Sequence, residues 1–365
     1  MPRKTFAAAA LLFAATFAHA QKPAAKDIDL HIYFADVEGG QATLIVSPTH
    51  ESLLIDTGWP GFKSRDAKRI VALATRAGIT RIDNLILTHY HIDHTGGLPQ
   101  LAALIPIGRI FDHGPNREPG TSSDGGGSIK GFDAYHQLLA DKKIPHLTVK
   151  PGDILPFKSL KAQVVSSDGE VITKPLPGGG SGKPNPACAA SSVKPIENGE
   201  NDRSVGILLN FGKLRILDLG DLTWGEERPL MCPIDNLGRV DVYIVSHHGV
   251  AQSNSPALLE AIAPRVAIMD NGSIKGAVPE AWDNIQHSPR IAASQKDGST
   301  ALWQLHTAVM ADAAHNVPEA RIANLIAPTR NTEDAGNFLE LTGRVDGSIS
   351  VFNSRTAETV NYPAK

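Results

Sequence analysis

Cysteine is scarce in this chain: Cys188 and Cys232 are the only two in 365 residues. Neither stands in a Cys-x-x-Cys spacing, so nothing in their placement points to a metal site. In an oxidising compartment they can pair in one way only, and the sequence leaves that disulfide and two separate thiols both open. A surplus of either charge is missing as well. Lys and Arg number 35 against 38 Asp and Glu, a formal net charge of −3, which gives no basic footprint for long nucleic acid. Beyond the N-terminus no stretch approaches the roughly 20 apolar residues that span a bilayer, so no membrane segment is expected after leader removal. Internal repeats and a clean domain boundary are absent too. What remains is an ordinary globular composition, 42% hydrophobic and 20% charged, long enough for one large α/β domain with or without a small appendage.

The chain opens with Arg3 and Lys4, then a short Ala-, Leu- and Phe-rich run from Thr5 to Phe17, then Ala18-His19-Ala20. A positive start, a brief apolar core and a small-x-small site describe an export signal covering residues 1–20. Cleavage is expected between Ala20 and Gln21, giving a periplasmic or extracellular protein. Residues 21–290 then read as the main domain, and 291–365 as a C-terminal extension packed on it, because that region has strand-like segments and no linker.

Ile28–Ala35, Ala42–Ser47 and Ser52–Asp56 read as an antiparallel meander, followed by a helix from Ser64 to Ala77 that Gly78 stops. Ile82–Thr88 is a short apolar strand. Further strands are expected at Ile107–Phe111, Lys161–Ser166, Val205–Phe211, Leu214–Leu219 and Val240–Ser246. Helices are expected at Gly97–Leu104, Phe132–Ala140, Trp224–Met231, Pro256–Ala263 and Pro279–Gln286. Gly114–Ile129 and Asp168–Asn201 read as long loops of the kind that rim functional sites. Asp346-Gly347 is a turn between Glu340–Arg344 and Ser348–Asn353, a C-terminal β-hairpin.

Directly after the Ile82–Thr88 strand comes His89-Tyr90-His91-Ile92-Asp93-His94, four ligand-type residues in six positions. Imidazole and carboxylate together suit zinc, Tyr90 and Ile92 act as spacers, and loops after strand ends are where α/β folds place their sites. Thr95-Gly96-Gly97 follows, and glycine lets backbone close tightly around a site.

With these residues in view, the sequence resembles the metallo-β-lactamase-fold superfamily. The resemblance rests on Leu53-Leu54-Ile55-Asp56-Thr57-Gly58, on Thr88 through Gly97, on Glu200-Asn201-Asp202-Arg203-Ser204, on Leu219-Gly220-Asp221 and on Val245-Ser246-His247-His248-Gly249. The last three look most like the branch that holds the hydrolase domain of DNA-uptake competence proteins (ComEC-like) and the phosphorylcholine esterases. Asp36-Val37-Glu38-Gly39-Gly40-Gln41-Ala42 is similar to that branch's Asp-Val-Gly-Gln-Gly-Asp-Ala, with departures at several positions.

The resemblance implies an α/β fold, a four-layer αββα sandwich, with two divalent ions between the sheet edges. Zinc is the first choice, Mn2+ or Fe the alternatives. It implies that His89 and His91 hold one ion, that Asp93 and His94 hold the other, that Asp221 bridges them, and that His247 completes the second. Asp56 would stand behind the ligands and orient one. His248 is left to face substrate or a packing neighbour, and Asp93 also to orient the attacking water. Asp218 is a rival for the bridge, but Gly220-Asp221 fits the family pattern better. Many relatives place a third histidine near Asn201; here Asn201, Asp202 and His113 are the candidates, and His113 reads equally well as an ordinary loop histidine.

Two such ions lower the pKa of a water toward 7 and polarise a carbonyl or phosphoryl centre. The expected activity is hydrolysis of a small or short phosphodiester or related ester. Lactone, thioester or β-lactam hydrolysis is the alternative, and a non-catalytic exported binding protein is the reading from another class. His91 at a position where redox di-iron relatives carry Glu argues for hydrolysis. Oligomeric state leaves no trace in the sequence.

Overall fold

The computed structural model describes residues 28–118, 125–295, 301–326 and 335–364. The proposed export signal and its cleavage site lie outside the described residues.

The chain begins with β1 (Leu30–Phe34), β2 (Thr43–Val46) and β3 (Ser52–Ile55), an antiparallel meander as expected. Helix α1 (Arg65–Arg76) crosses to β4 (Ile82–Ile86), which runs parallel to β3. A one-turn helix α2 (Ile92–Thr95) and α3 (Leu98–Leu104) lead to β5 (Ile107–Asp112), and α4 (Ser128–Lys142) leads to β6 (His146–Thr148). The second sheet starts with β7 (Ile154–Leu155), β8 (Lys161–Ser167), β9 (Glu170–Val171), β10 (Gly206–Phe211) and β11 (Leu214–Asp218). It continues through α5 (Trp224–Met231), β12 (Val242–Ile244), α6 (Pro256–Ile262), β13 (Val266–Met269), α7 (Pro279–His287), α8 (Pro289–Gln295), β14 (Leu302–His306) and β15 (Ile322–Asn324). Finally β16 (Leu339–Gly343), β17 (Ile349–Asn353) and β18 (Glu358–Tyr362) return to the first sheet beside β1.

Residue alternation explains the layering. On β1, Leu30, Ile32 and Phe34 point into the core shared by the two sheets, where they meet Ile207, Leu209, Ile216 and Trp303. Tyr33 points the other way, into the layer formed with Ile70, Leu73 and Ala74 of α1. The second sheet repeats the arrangement: Leu208, Leu217 and Tyr243 face Leu230, Leu258, Ile262 and Ile285 of its own helices. Three apolar layers separate four layers of structure, so the fold is an αββα sandwich.

The C-terminal residues are divided between the sheets. β14 and β15 extend the second sheet in parallel, and β16–β18 form a three-stranded meander rather than a two-stranded hairpin. Cys188 and Cys232 are bonded, with Cα atoms 5.8 Å apart, fastening the 168–201 loop to the end of α5.

Candidate metal centre

The site forms where both sheets present the loops that follow their strand ends. β4 delivers Thr88 and His89, and α2 delivers Asp93 and His94. β11 delivers Asp221, and the turn after β12 delivers His247 and His248. Local conformation aims these groups. Asp56, His247 and His248 all have positive φ (59°, 53° and 55°), a left-handed backbone that costs a non-glycine residue energy and that functional turns commonly contain. A Cβ on Gly40 would fall 2.3 Å from the Asp93 carbonyl oxygen, so glycine lets the 36–42 turn lie directly behind Asp93.

Asp93, His94, Asp221 and His248 are buried, and one donor atom from each lies within 4.8 Å of all the others. His94 Nε2 is 3.5 Å from Asp93 Oδ2, 3.2 Å from Asp221 Oδ2 and 3.3 Å from His248 Nε2. His248 Nε2 is 3.5 Å from each carboxylate. The far nitrogens are engaged: His94 Nδ1 donates to Asp56 Oδ2 at 2.7 Å, and His248 Nδ1 to Asp270 Oδ1 at 3.3 Å. Asp56 in turn accepts from the Thr88 amide (2.8 Å) and hydroxyl (2.6 Å), which fixes the turn that carries His89.

These spacings test the fit of a metal ion. Donors about 2.0–2.2 Å from a tetrahedral zinc lie roughly 3.3–3.5 Å from one another, and five of the six pairs here are 3.2–3.5 Å apart. Electrostatics agree. Burial works to raise the carboxyls, yet Lys275, His94 and His248 hold Asp93 well below the usual range, and His247, His94 and His248 do the same for Asp221. Burial works to strip the proton from His94, but Asp221, Asp93 and Asp56 outweigh it and push it up to about 10; His248 also rises well above its ordinary value. The pocket thus demands positive charge. Two protons cannot meet that demand along the 3.3 Å line between the two Nε2 atoms, whereas one cation satisfies both lone pairs.

The other half of the site is more open. His89 Nε2, His91 Nε2 and Asp221 Oδ1 are buried and make no hydrogen bond. His89 Nε2 lies 3.9 Å from Asp221 Oδ2, and burial, followed by His94 and His91, pushes this imidazole well below its ordinary pKa, so it presents a lone pair. His91 Nε2 lies 3.5 Å from Glu118 Oε2.

The adjacent histidines both reach the site. His248 enters the four-donor group, and His247 stands at its mouth with Nε2 3.4 Å from Asp221 Oδ2. Because Ser253 Oγ donates to the Leu222 carbonyl, His247 Nδ1 must donate to Ser253 Oγ (3.3 Å), leaving Nε2 as a lone pair. Burial, with His248 and Lys275, brings His247 down to about 4 against the pull of Asp221, so it is neutral near pH 7.

His113 is not among the converging donors. Its Nε2 lies 3.0 Å from Glu200 and its ring packs on Tyr90 at 4.4 Å. Asn201 begins a single 3-10 turn, its Oδ1 buried without a hydrogen bond, and Asp202 accepts from the Asn198 amide and the Thr223 hydroxyl. Asp218 lies behind the site, accepting from Gln41 Nε2 at 2.6 Å and from the Gly220 amide at 2.9 Å. Glu118 and Lys275 carry no local sequence signal, and Glu200 belongs to a segment singled out for its motif but not for this role. Glu118 comes from a Gly- and Ser-rich loop, Glu200 accepts the Tyr90 amide between His89 and His91, and Lys275 pairs with Asp93 while its ammonium lies 5.4 Å from the Trp59 ring centre.

Comparison with known proteins agrees with this geometry. Residues 35–182 match the family model described as the Metallo-beta-lactamase superfamily. ComE operon protein 3 of Bacillus subtilis is 24% identical over 251 residues, 65% of this chain and 28% of that protein. Recombination protein 2 of Haemophilus influenzae is 27% identical over 239 residues, 65% of this chain and 24% of that protein. The chain therefore matches only about a quarter of the length of these relatives. An atrochrysone carboxyl ACP thioesterase of Cryptosporiopsis is 36% identical over 88 residues, 24% of this chain and 26% of that one. Over residues 35–182, which carry the histidine cluster and two members of the four-donor group, the chain is thus similar to the metallo-beta-lactamase superfamily.

Proposed function

We propose that this protein is an exported hydrolase of phosphodiesters or related anionic esters that works with two divalent ions, zinc first among them. The observation that carries the reading is the convergence of Asp93, His94, Asp221 and His248 on one buried, cation-demanding point, with the unbonded nitrogens of His89 and His91 beside it. When bound, the ions would supply an activated water and an electrophile for the oxygen that gains charge.

The chain's own residues have distinct tasks. Asp93, His94 and His248 hold one position, His89 and His91 the other, and Asp221 reaches both. Asp56 and Asp270 fix the rings of His94 and His248, so each presents Nε2 without reorganising. Neutral His247 presents its Nε2 lone pair at the mouth, where it accepts a hydrogen bond from the attacking water and orients it. Lys275 supports an anionic substrate: it brings an ammonium to the rim, where Trp59 offers a flat apolar wall. The Cys188–Cys232 bond and the leader-like start support an oxidising, exported setting.

The test is a substrate panel on metal-loaded protein: bis-p-nitrophenyl phosphate, lactones, thioesters and β-lactams. Preference for the phosphodiester, lost on chelation, is the expected result. Turnover of thioesters or lactones with the phosphodiester untouched would overturn the substrate assignment. No hydrolysis of any of the four by protein holding two ions would overturn the hydrolase reading in favour of a binding role.

A further inference from the structure

We propose that Glu118 is a metal ligand, its Oε2 joining His89 and His91 at the first position in place of the histidine that the Glu200-Asn201-Asp202-Arg203-Ser204 segment does not provide. The inference rests on the two-metal reading above and assigns one of its missing donors.

Three observations carry it. First, Glu118 Oε2 stands 3.5 Å from His91 Nε2, a buried nitrogen that makes no hydrogen bond. That distance is long for a charge-assisted hydrogen bond, which runs about 2.7–2.9 Å, but ordinary for two donors sharing one ion. Second, Glu118 is built into place. Its Oε1 accepts from the Glu200 amide at 2.9 Å, and its own amide donates to Asn116 Oδ1 at 2.8 Å. Glu200 Oε1 accepts from the Arg117 amide at 2.6 Å, while Glu200 Oε2 takes the Tyr90 amide at 3.1 Å and His113 Nε2 at 3.0 Å. One buried carboxylate therefore ties the backbone beside Glu118 to the residue between His89 and His91, so the loop and the histidines form a single unit.

Third, Gly126 closes over the His91 ring. A Cβ on Gly126 would lie 2.5 Å from His91 Cδ2 and 2.7 Å from Nε2, so only glycine, at φ 78°, lets the chain pass so near. Among the described residues, His89, His91 and Glu118 do not form a group with all donors within 4.8 Å. The Glu118 and His91 side chains both stand at the mouth, 21% and 13% exposed. His113 is already engaged by Glu200, which leaves Glu118 as the carboxylate next to an unbonded ligand nitrogen.

The experiment is metal titration of the full chain with Co2+ and with Zn2+, read by elemental stoichiometry, chelator competition and the visible Co2+ spectrum. Wild type should take up two ions. Glu118→Gln, which keeps the hydrogen bond from the Glu200 amide, should bind the first ion normally and the second about tenfold or more weakly, with a changed Co2+ spectrum. Glu118→His should regain the second ion with a nitrogen-type spectrum, and it serves as the reading should the glutamine variant fail to fold. Two ions bound by Glu118→Gln with wild-type affinity and spectrum would overturn the ligand role and leave Glu118 as a loop latch. A wild type unable to hold a second ion would instead overturn the two-metal reading itself, so the two failures are distinguishable.

Discussion

Each imidazole around Asp93, His94 and His248 has its outer nitrogen fixed by a buried carboxylate, while a few ångströms away His91 makes no hydrogen bond through Nε2 and lies under a loop. The closed half is organised for a cation before any cation arrives, because carboxylates, orienting bonds and burial all act in the same direction. The open half has its histidines in place but draws its remaining contacts from the 113–118 segment, held by hydrogen bonds to Glu200. An ion should therefore enter the closed half first and bind it more tightly, leaving the open half to respond to substrate.

The strongest way to break that contrast is to remove what both halves share. Asp221→Ala should lose both ions and lower turnover by about a thousandfold or more; elemental analysis beside a phosphodiester assay checks it, and one retained ion would mean that Asp221 serves one half only. Next come the paired histidines. His248→Ala should strip the closed half of its ion. His247→Ala should keep both ions while turnover falls about tenfold through loss of a hydrogen bond that orients the attacking water. The reverse pattern would put His247 back among the ligands and His248 at substrate. Smaller still is Asp56→Asn, which leaves every donor present but loosens His94 and the Thr88 turn. Affinity for the tighter ion should fall about 10–100-fold, and unchanged affinity would show that the closed half owes nothing to its outer hydrogen bonds.

How much of this was readable beforehand follows sequence separation. His89, His91, Asp93 and His94 announce themselves because four ligand types crowd one turn, and the meander β1–β3 because its alternation is local. Which of His247 and His248 points inward was not readable, since both residues adopt left-handed backbone and simple strand alternation does not apply. Glu118 meets Glu200 across 82 residues and Lys275 meets Asp93 across 182, so a single charged residue in a Gly-rich loop carries no pattern to find. The strands Val266–Met269 and Leu302–His306 escaped for a related reason: each is buried on both faces, and a short apolar run has no period that separates strand from helix.

The smallest effect on the centre itself should come from Glu227, which supports the closed half from behind. It is fully buried, and its two oxygens accept from the Asn254 and Ser255 amides at 2.6 and 2.8 Å, fixing the turn that follows Ser253, the partner of His247. Burial raises its pKa to about 7 from an ordinary 4.5, more than the amide bonds lower it. Between those values the native state keeps a proton that the unfolded chain has released, so stability is fully present below about 4.5 and is lost as pH rises through about 7. That rise corresponds to roughly 3 kcal/mol across the window. Glu227→Gln should flatten that part of the stability–pH curve, measured by urea unfolding at pH 5 and pH 8, and leave metal content at two ions. An unchanged slope would mean that Glu227 is ionised throughout, and lost metal would mean that the turn it braces is part of the centre rather than its support.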